Sequence, residues 1–412
     1  MSLVTLPDGP LNESVVNEHI RPLFSRAMKG DAKRGEVYLA NHSLGRPLDA
    51  VAEDVARGLE KWYSDMDRSW DDGGWLDDMN AWRLKTAELL GLPRYDCVVP
   101  RASAGQGLRA VLNAFPPDKV LRVTTTTGEF DSIDFILKRY ELAGRAKVTW
   151  VEPTGREGPV PLFTSEDICA AISSDTDVVV FSNVLYATGQ ILRGVPAVVE
   201  RAHEVGAVVV MDVFHAAGVI PLEIEKSDVD FTIGGSYKYL HGGPGACWLA
   251  IHPRVLDEDR FHTLDTGWFA KKDTFGFHRG QGAELKPGGD GWLESTPAII
   301  APYHARAGLQ LILDVGVERG REYSLDRQHK MRQAMNDRGV EMFVPEDPAK
   351  FGGFSLLPHP DAAALRTELM AKGVNTDART GFVRFGPDLL NTEEEFERAS
   401  KIVAEALKVR AV

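Results

Sequence analysis

The sequence predicts an α/β protein: a large domain with a mainly parallel sheet covered by helices on both faces, and a small α+β domain. Three observations carry this. Strand-like and helix-like segments alternate through the middle of the chain, the mark of a parallel sheet built by helical crossovers. Two runs, DVVVF (Asp177–Phe181) and AVVVM (Ala207–Met211), are continuously apolar, as strands buried on both faces must be. The tail from Gly352 onward changes to a strand–helix–strand–helix order.

The elements follow in order. Asp49–Tyr63 carries apolar residues at helical spacing and precedes the sheet. Arg101–Phe115 reads as a loop of small residues leading into an amphipathic helix, followed by a strand at Val120–Thr127. Ser132–Gly144 is a helix closed by Gly, and Ala146–Pro153 a strand closed by Pro. Thr164–Ile172 opens with a capping box, Thr-Ser-Glu-Asp, and is a helix. Strands at Asp177–Val184 and Ala207–Val213 flank a helix at Val195–Gly206. Asp228–Ser236 and Ala246–Pro253 are the next strands. A long helical stretch runs from Pro297 to about Asp337. The tail gives a strand in GGFSLLPH, a helix in DAAALRTELMAKG, a strand in FVRFGP and a last helix from Asn391. This divides the chain into a large domain over 48–300 and a small one made of 1–47 with 301–412.

Composition narrows the function. The 412 residues are 43% hydrophobic and 26% charged, normal for a globular protein with a sizeable core. Lys and Arg number 47 against 60 Asp and Glu, a net charge of −13. An acidic chain suits neither nucleic acid nor anionic membrane surfaces. No apolar stretch approaches the length of a membrane span. The N-terminus lacks a basic region followed by an apolar run, so a cytoplasmic setting is expected. Three Cys, none in a CxxC pair, form no disulfide framework and no zinc motif, and no other metal site is expected. Cys97, Cys169 and Cys247 sit in apolar surroundings and read as small buried hydrophobes.

One constellation carries chemistry. Asp212 closes the strand AVVVMD, and Lys238 lies 26 residues on, in GGSYKYLHGGPG, just past the next strand. Ligands of open α/β sheets sit at the carboxyl ends of strands. An acid and a Lys so placed are what pyridoxal 5′-phosphate (PLP) needs: Lys for the Schiff base, Asp for the protonated pyridine nitrogen. Gly242, Gly243 and Gly245 let the chain turn tightly behind the Lys. Ser103, Ala104 and Gly105 stand where free N–H groups at a helix start can bind a phosphate. Phe130, at the carboxyl end of a strand, can stack on the ring.

These pieces belong to a wider pattern. YLANHSLGRP (Tyr38–Pro47), NVLYATGQIL (Asn183–Leu192), MDVFHAAG (Met211–Gly218), VDFTIGGSYKYLHGGPG (Val229–Gly245), DTGWFA (Asp265–Ala270), ESTPAI (Glu294–Ile299) and RTGFVRFGPDLLNT (Arg379–Thr392) span most of the chain. With them the sequence resembles the class V, fold-type I PLP enzymes and, among these, the kynureninases. The resemblance implies Lys238 as the Schiff-base Lys, Asp212 at the pyridine nitrogen, and His215 beside it. It implies Tyr237 at the phosphate and as a candidate proton donor, Phe130 on the ring, and Ser103–Gly105 around the phosphate. Trp268 and Thr296 match residues that reach the phosphate of a neighbouring subunit, which implies a homodimer with active sites at the interface. Arg384 matches an Arg that grips the substrate α-carboxylate, and His42 and Ser43 fall in a substrate-binding segment.

Three departures mark the resemblance. Ile133 stands where kynureninases have Asp, three residues after the stacking Phe. His42 stands where they have Asn. The segment Trp62–Trp82 contains SWDDGGWLDDMN and lacks the family's His. The bland reading of this acidic stretch is a solvated loop. The sharper one puts Trp70 or Trp75 at the substrate mouth, stacked on an aromatic ring, where a nearby carboxylate favours a ring bearing an extra hydrogen-bond donor. The implied reaction is hydrolytic Cβ–Cγ cleavage of L-kynurenine or a related aryl-keto amino acid, a step of tryptophan catabolism. A lyase, epimerase or aminotransferase of the same class, acting on another amino acid, is the alternative.

Overall fold

The computed structural model describes residues 2–280, 282–379 and 381–410. Seven strands form the central sheet: β1 (Val98–Arg101), β2 (Leu121–Thr126), β3 (Ala146–Val151), β4 (Val178–Ser182), β5 (Val208–Asp212), β6 (Phe231–Gly235) and β7 (Cys247–Ile251). Their order is β1-β7-β6-β5-β4-β2-β3. Strands β2 to β6 are mutually parallel. Only β7 runs against its neighbours β6 and β1. Every residue of β4, β5, β6 and β7 is buried, as their apolar runs require. The order reverses between β2 and β4, and the β4–β5 register sets Ser182 directly across from Asp212.

Crossover helices connect the parallel strands. Ser165–Ala171 begins with the expected capping box, in which Thr164 and Asp167 cap each other's backbone N–H groups. Strand β1 escapes sequence reading because it is four residues long and contains Pro100. The acidic Trp62–Trp82 segment is not a loop throughout. Its second half starts the Trp75–Leu90 helix, with Gly74 at the N-cap and Asp77 and Asp78 in the first turn. Carboxylates there complement the positive end of the helix dipole.

The helical stretch after Pro297 is two helices, Ile300–Val315 and Val317–Asn336, broken at Gly316 with φ +81°. The first is shared between cores. Ala305, Leu309 and Ile312 join the main sheet core, while Leu311 and Val315 join an N-terminal cluster with Ile20 and Phe24. A separate core at the C-terminal end gathers Met331, Leu365, Val383, Phe385, Phe396 and Val403. It lies with a three-stranded antiparallel sheet of β8 (Ser355–Pro358), β9 (Asp377–Arg379) and β10 (Phe382–Phe385), in the order β8-β10-β9. Val37–Tyr38 pairs in parallel with Val374–Asn375, which ties the N-terminal chain into this unit. Among the described residues, no helix is long and apolar enough to cross a membrane.

Candidate active site

Four strand ends converge on one cavity of about 730 Å³. Asp212 comes from the end of β5, Ser182 from the end of β4, and Phe130 from the turn after β2. Tyr237 and Lys238 come from the turn after β6. Ser103, Ala104, Gly105 and His215 also line it. The expected residues from Ser103 to Lys238 thus come together in one place, although the chain between them carries five strands of the sheet. Gly245, with φ +97°, supplies the turn expected behind Lys238.

The electrostatics of the cavity follow from burial. Lys238 Nζ lies 2.6 Å from His215 Nε2, and its charge sits 4.7 Å from the centre of the Phe214 ring and 5.5 Å from that of Phe130. Burial pushes the Lys238 amine below its ordinary range; Asp212 opposes this, while Arg384 and Arg379 add to it. Burial likewise raises the Asp212 carboxyl, against the Phe214 backbone N–H that Asp212 Oδ1 accepts at 2.7 Å and against Lys238. His215 is driven well down by burial and by the Lys238 and Arg384 charges, so its ring is neutral. Its Nδ1 is buried without a hydrogen-bond partner. An orphaned ring nitrogen, a buried acid and a buried amine around a hollow are a donor set that fits PLP. The phosphate end fits as well. Ala104–Leu112 starts at the cavity with Ser103 as N-cap, its Oγ accepting from Gln106 N at 3.2 Å.

Close packing seats Lys238. The loop carrying Asn41, His42 and Ser43 leads into Gly45, whose N–H donates to Tyr237 O at 2.8 Å. A Cβ at Gly45 would collide with the Lys238 carbonyl oxygen, so this approach requires glycine.

Other expected residues lie outside the cavity. Trp268 Nε1 donates to Thr296 Oγ1 at 3.1 Å. Thr296 lines a second hollow of about 750 Å³, which shares Ala102, Gly245 and Cys247 with the first. Arg384 is 1% exposed and already paired: Nε donates to Asp377 Oδ1 at 2.6 Å, Nη2 donates to Asp377 Oδ2, and Nη1 donates to Tyr186 O. His42 is fully buried, with Nε2 3.0 Å from Asp377 Oδ1 and its ring 4.7 Å from that of Phe354.

Trp75 requires a correction. Its ring is buried against Ile299 and Tyr303 and packs edge-on to Trp70, and its Nε1 donates to Gly58 O at 3.2 Å. It is a core residue of the helical layer, not a stacking surface in the Lys238 cavity. The helix that starts at Trp75 turns it inward, a fact hidden when the segment is taken for a loop. Cys169 also differs from expectation. It is half-buried, with Sγ 3.6 Å from Ala197 O, whereas Cys97 and Cys247 are fully buried. The sequence does not single out Glu129, Tyr186 or Asp377. Asp377 has a signal all the same: a hairpin folding back onto FVRFGP would set it opposite Arg384, and the β9–β10 register does so.

His42 gives a pH signature. Burial and the Arg384 charge push its pKa down from the ordinary 6.5 to about 4, against the pull of Asp377. The unfolded chain takes a proton near pH 6.5 that the native state refuses until about pH 4. Acidification across that window therefore favours unfolding, by about 3 kcal/mol for this group once it is complete. Urea unfolding of the cofactor-free protein should show wild type losing that much more stability than His42→Gln between pH 6.5 and 4. Glu129 and Asp212, whose carboxyls burial raises, titrate in both proteins and cancel. A pH-independent gap would show that His42 is not held neutral.

The fold and this cavity define a PLP-dependent enzyme of fold-type I. The sequence profile of the aminotransferase class-V family matches residues 37–374, and the chain belongs to that family. Its cofactor is PLP. Within the family it is similar to kynureninases. That of Pseudomonas fluorescens is 28% identical over 388 residues, covering 90% of this chain and 89% of that protein. That of Bacillus thuringiensis subsp. konkukian is 27% identical over 401 residues, covering 91% and 89%. Among solved structures, the cysteine desulfurase CsdA of Escherichia coli superposes with a TM-score of 0.79 at 17% identity, covering 97% of this chain and all of that one. A C-DES variant with glycine covalently linked to its PLP cofactor gives 0.78 at 16% identity, covering 93% and 99%. At such identities these structures speak for the fold.

Proposed function

We propose that the protein hydrolyses the Cβ–Cγ bond of L-kynurenine or a related aryl-keto amino acid, giving an anthranilate and L-alanine. The observation that carries this reading is similarity to kynureninases across about nine-tenths of both chains, joined to an intact Asp212–Lys238–His215 set. Bound PLP supplies an electron sink for charge developing on the substrate carbons. The chain's own residues do the rest. Asp212 holds the pyridine nitrogen. Lys238, its amine brought below its ordinary range by burial, takes the proton from the substrate Cα and passes it on. Neutral His215 hydrogen-bonds the Lys238 amine and orients it. Tyr237, whose hydroxyl burial pushes up, donates the proton that Cβ takes as the acyl group leaves. One water is consumed: its oxygen ends in the aryl carboxylate.

The cysteines argue against desulfurase chemistry. Cys247 is the one in the cavity wall, but it is locked in β7, and burial pushes its thiol up to about 12. A protonated thiol on a central strand is a poor nucleophile. The test is a screen of the PLP-loaded enzyme with L-kynurenine, 3-hydroxykynurenine, L-cysteine and common amino acids. Equimolar alanine and an anthranilate, from the aryl substrates alone, is expected. Sulfide release or 2-oxo acid formation would displace the reading.

Arg384 holds the substrate α-carboxylate. A planar guanidinium does this with two parallel hydrogen bonds, which an ammonium cannot copy. Arg384→Lys should lower kcat/KM by about 10–100-fold, about 1.4–2.7 kcal/mol, with PLP content unchanged. Kinetics equal to wild type would make Arg384 structural only.

The active unit is a homodimer. Trp268 and Thr296 lie outside the Lys238 cavity of their own chain, beside exposed Phe275 and Phe277, on a face suited to completing a partner's phosphate site. Sedimentation should give a dimer that loses PLP on dissociation. A fully active monomer would contradict this.

A further inference from the structure

We propose that Asp377 is a positioning residue for substrate recognition: it clamps one edge of the Arg384 guanidinium, so that the remaining donors bind a carboxylate. This rests on the reading of Arg384 as the α-carboxylate holder. Asp377 and Arg384 are directly opposed on β9 and β10, so their side chains share one face of the small sheet. A guanidinium has five N–H donors. Asp377 takes one from Nε and one from Nη2, and the Tyr186 carbonyl takes one from Nη1. That leaves one donor on Nη1 and one on Nη2, enough for a second two-pronged carboxylate contact. Tyr186 also lines the Lys238 cavity, so the carbonyl that holds Nη1 belongs to a residue of its wall, and the Arg384 charge is felt at the Lys238 amine.

Asp377 is in turn held. His42 Nε2 lies 3.0 Å from Oδ1, and Arg379 Nη1 3.5 Å from Oδ2. The Phe354 ring lies 5.1 Å from the Arg384 guanidinium, and the same Phe354 packs on His42 and His215. Burial opposes a charge on Asp377, but His42 and Arg384 outweigh it and keep its carboxyl well below the ordinary range. A buried Arg facing only carbonyls could rotate. One pinned by a charged partner on its edge presents its remaining donors in one direction. His42, which replaces the Asn of the kynureninases, belongs to this clamp as the group that fixes Asp377.

The test titrates PLP-loaded protein with two probes, L-alanine and ethylamine, read by the change in cofactor absorbance. Both carry an amine and a methyl group; only L-alanine carries the carboxylate. Asp377→Asn keeps the side-chain shape and removes its charge. It should weaken L-alanine by about 10–100-fold, the range of a charge-assisted contact, and leave ethylamine unchanged. In an Arg384→Lys background the same substitution should have little further effect, because Asp377 acts through Arg384. If Asp377→Asn does not fold, His42→Ala carries the test, with a smaller loss for L-alanine alone. Equal weakening of both probes would make the clamp merely structural and overturn the proposal. Tighter L-alanine binding would overturn it too, since Asp377 would then be competing for Arg384. Wild-type protein that fails to prefer L-alanine over ethylamine would instead overturn the role of Arg384, and the clamp with it.

Discussion

Lys238→Ala lowers turnover by roughly 10⁴-fold or more, since it removes both the covalent attachment point and the Cα base. The protein stays folded and retains some noncovalently bound PLP. The physical argument starts from placement. Lys238 is buried just past the end of β6, its nearest polar partner is a neutral His215, and its amine is held below its ordinary range. No other Lys lines the cavity among the described residues, so none can take over. Added alkylamines can partly restore proton transfer, as they enter the space left by the side chain. Steady-state kinetics, together with the visible spectrum, check this. Wild-type rates in Lys238→Ala would remove the assignment.

Asp212→Ala gives the second large effect. A carboxylate against a cationic ring nitrogen is worth about 4 kcal/mol at contact distance in a partly polar site, which corresponds to about three orders of magnitude in rate. The loss falls on kcat more than on KM, because the pair matters most when the substrate carbon carries charge. Asp212→Glu keeps the charge but lengthens the arm, and recovers part of the rate. Asp212 also accepts the Phe214 backbone N–H, so circular dichroism should accompany the kinetics to separate misfolding from lost chemistry. A kcat within a few-fold of wild type would show that Asp212 is only a turn cap.

Much of this site is legible in the amino-acid sequence. Asp212 and Lys238 stand out because buried β strands announce themselves as apolar runs, and the residues just past such runs lie at the sheet's ligand-binding edge. Ser103 is legible as a cap before a helix, and Phe130 as an aromatic after a strand. What stays hidden depends on pairings distant in sequence or on helix phase. The Asp377–Arg384 clamp needs the β9–β10 register, and its link to His42 spans 335 residues. Trp75 misleads because two glycines and four acids disguise a helix start, and helix phase decides which way a Trp points. Strand β7 is plain as a strand, but nothing in its composition tells that it runs antiparallel. Glu129, buried and hydrogen-bonded by Ser182 and Thr126, has no periodic signal at all.

The central claim is hydrolytic carbon–carbon cleavage, and its most direct test is the fate of a labelled water. PLP-loaded enzyme is incubated with L-kynurenine in ¹⁸O-water, and the products are analysed by mass spectrometry. The account predicts alanine and anthranilate in equal amounts, with one ¹⁸O in the anthranilate carboxylate. Intact L-kynurenine, or a 2-oxo acid retaining the aryl side chain, would contradict it.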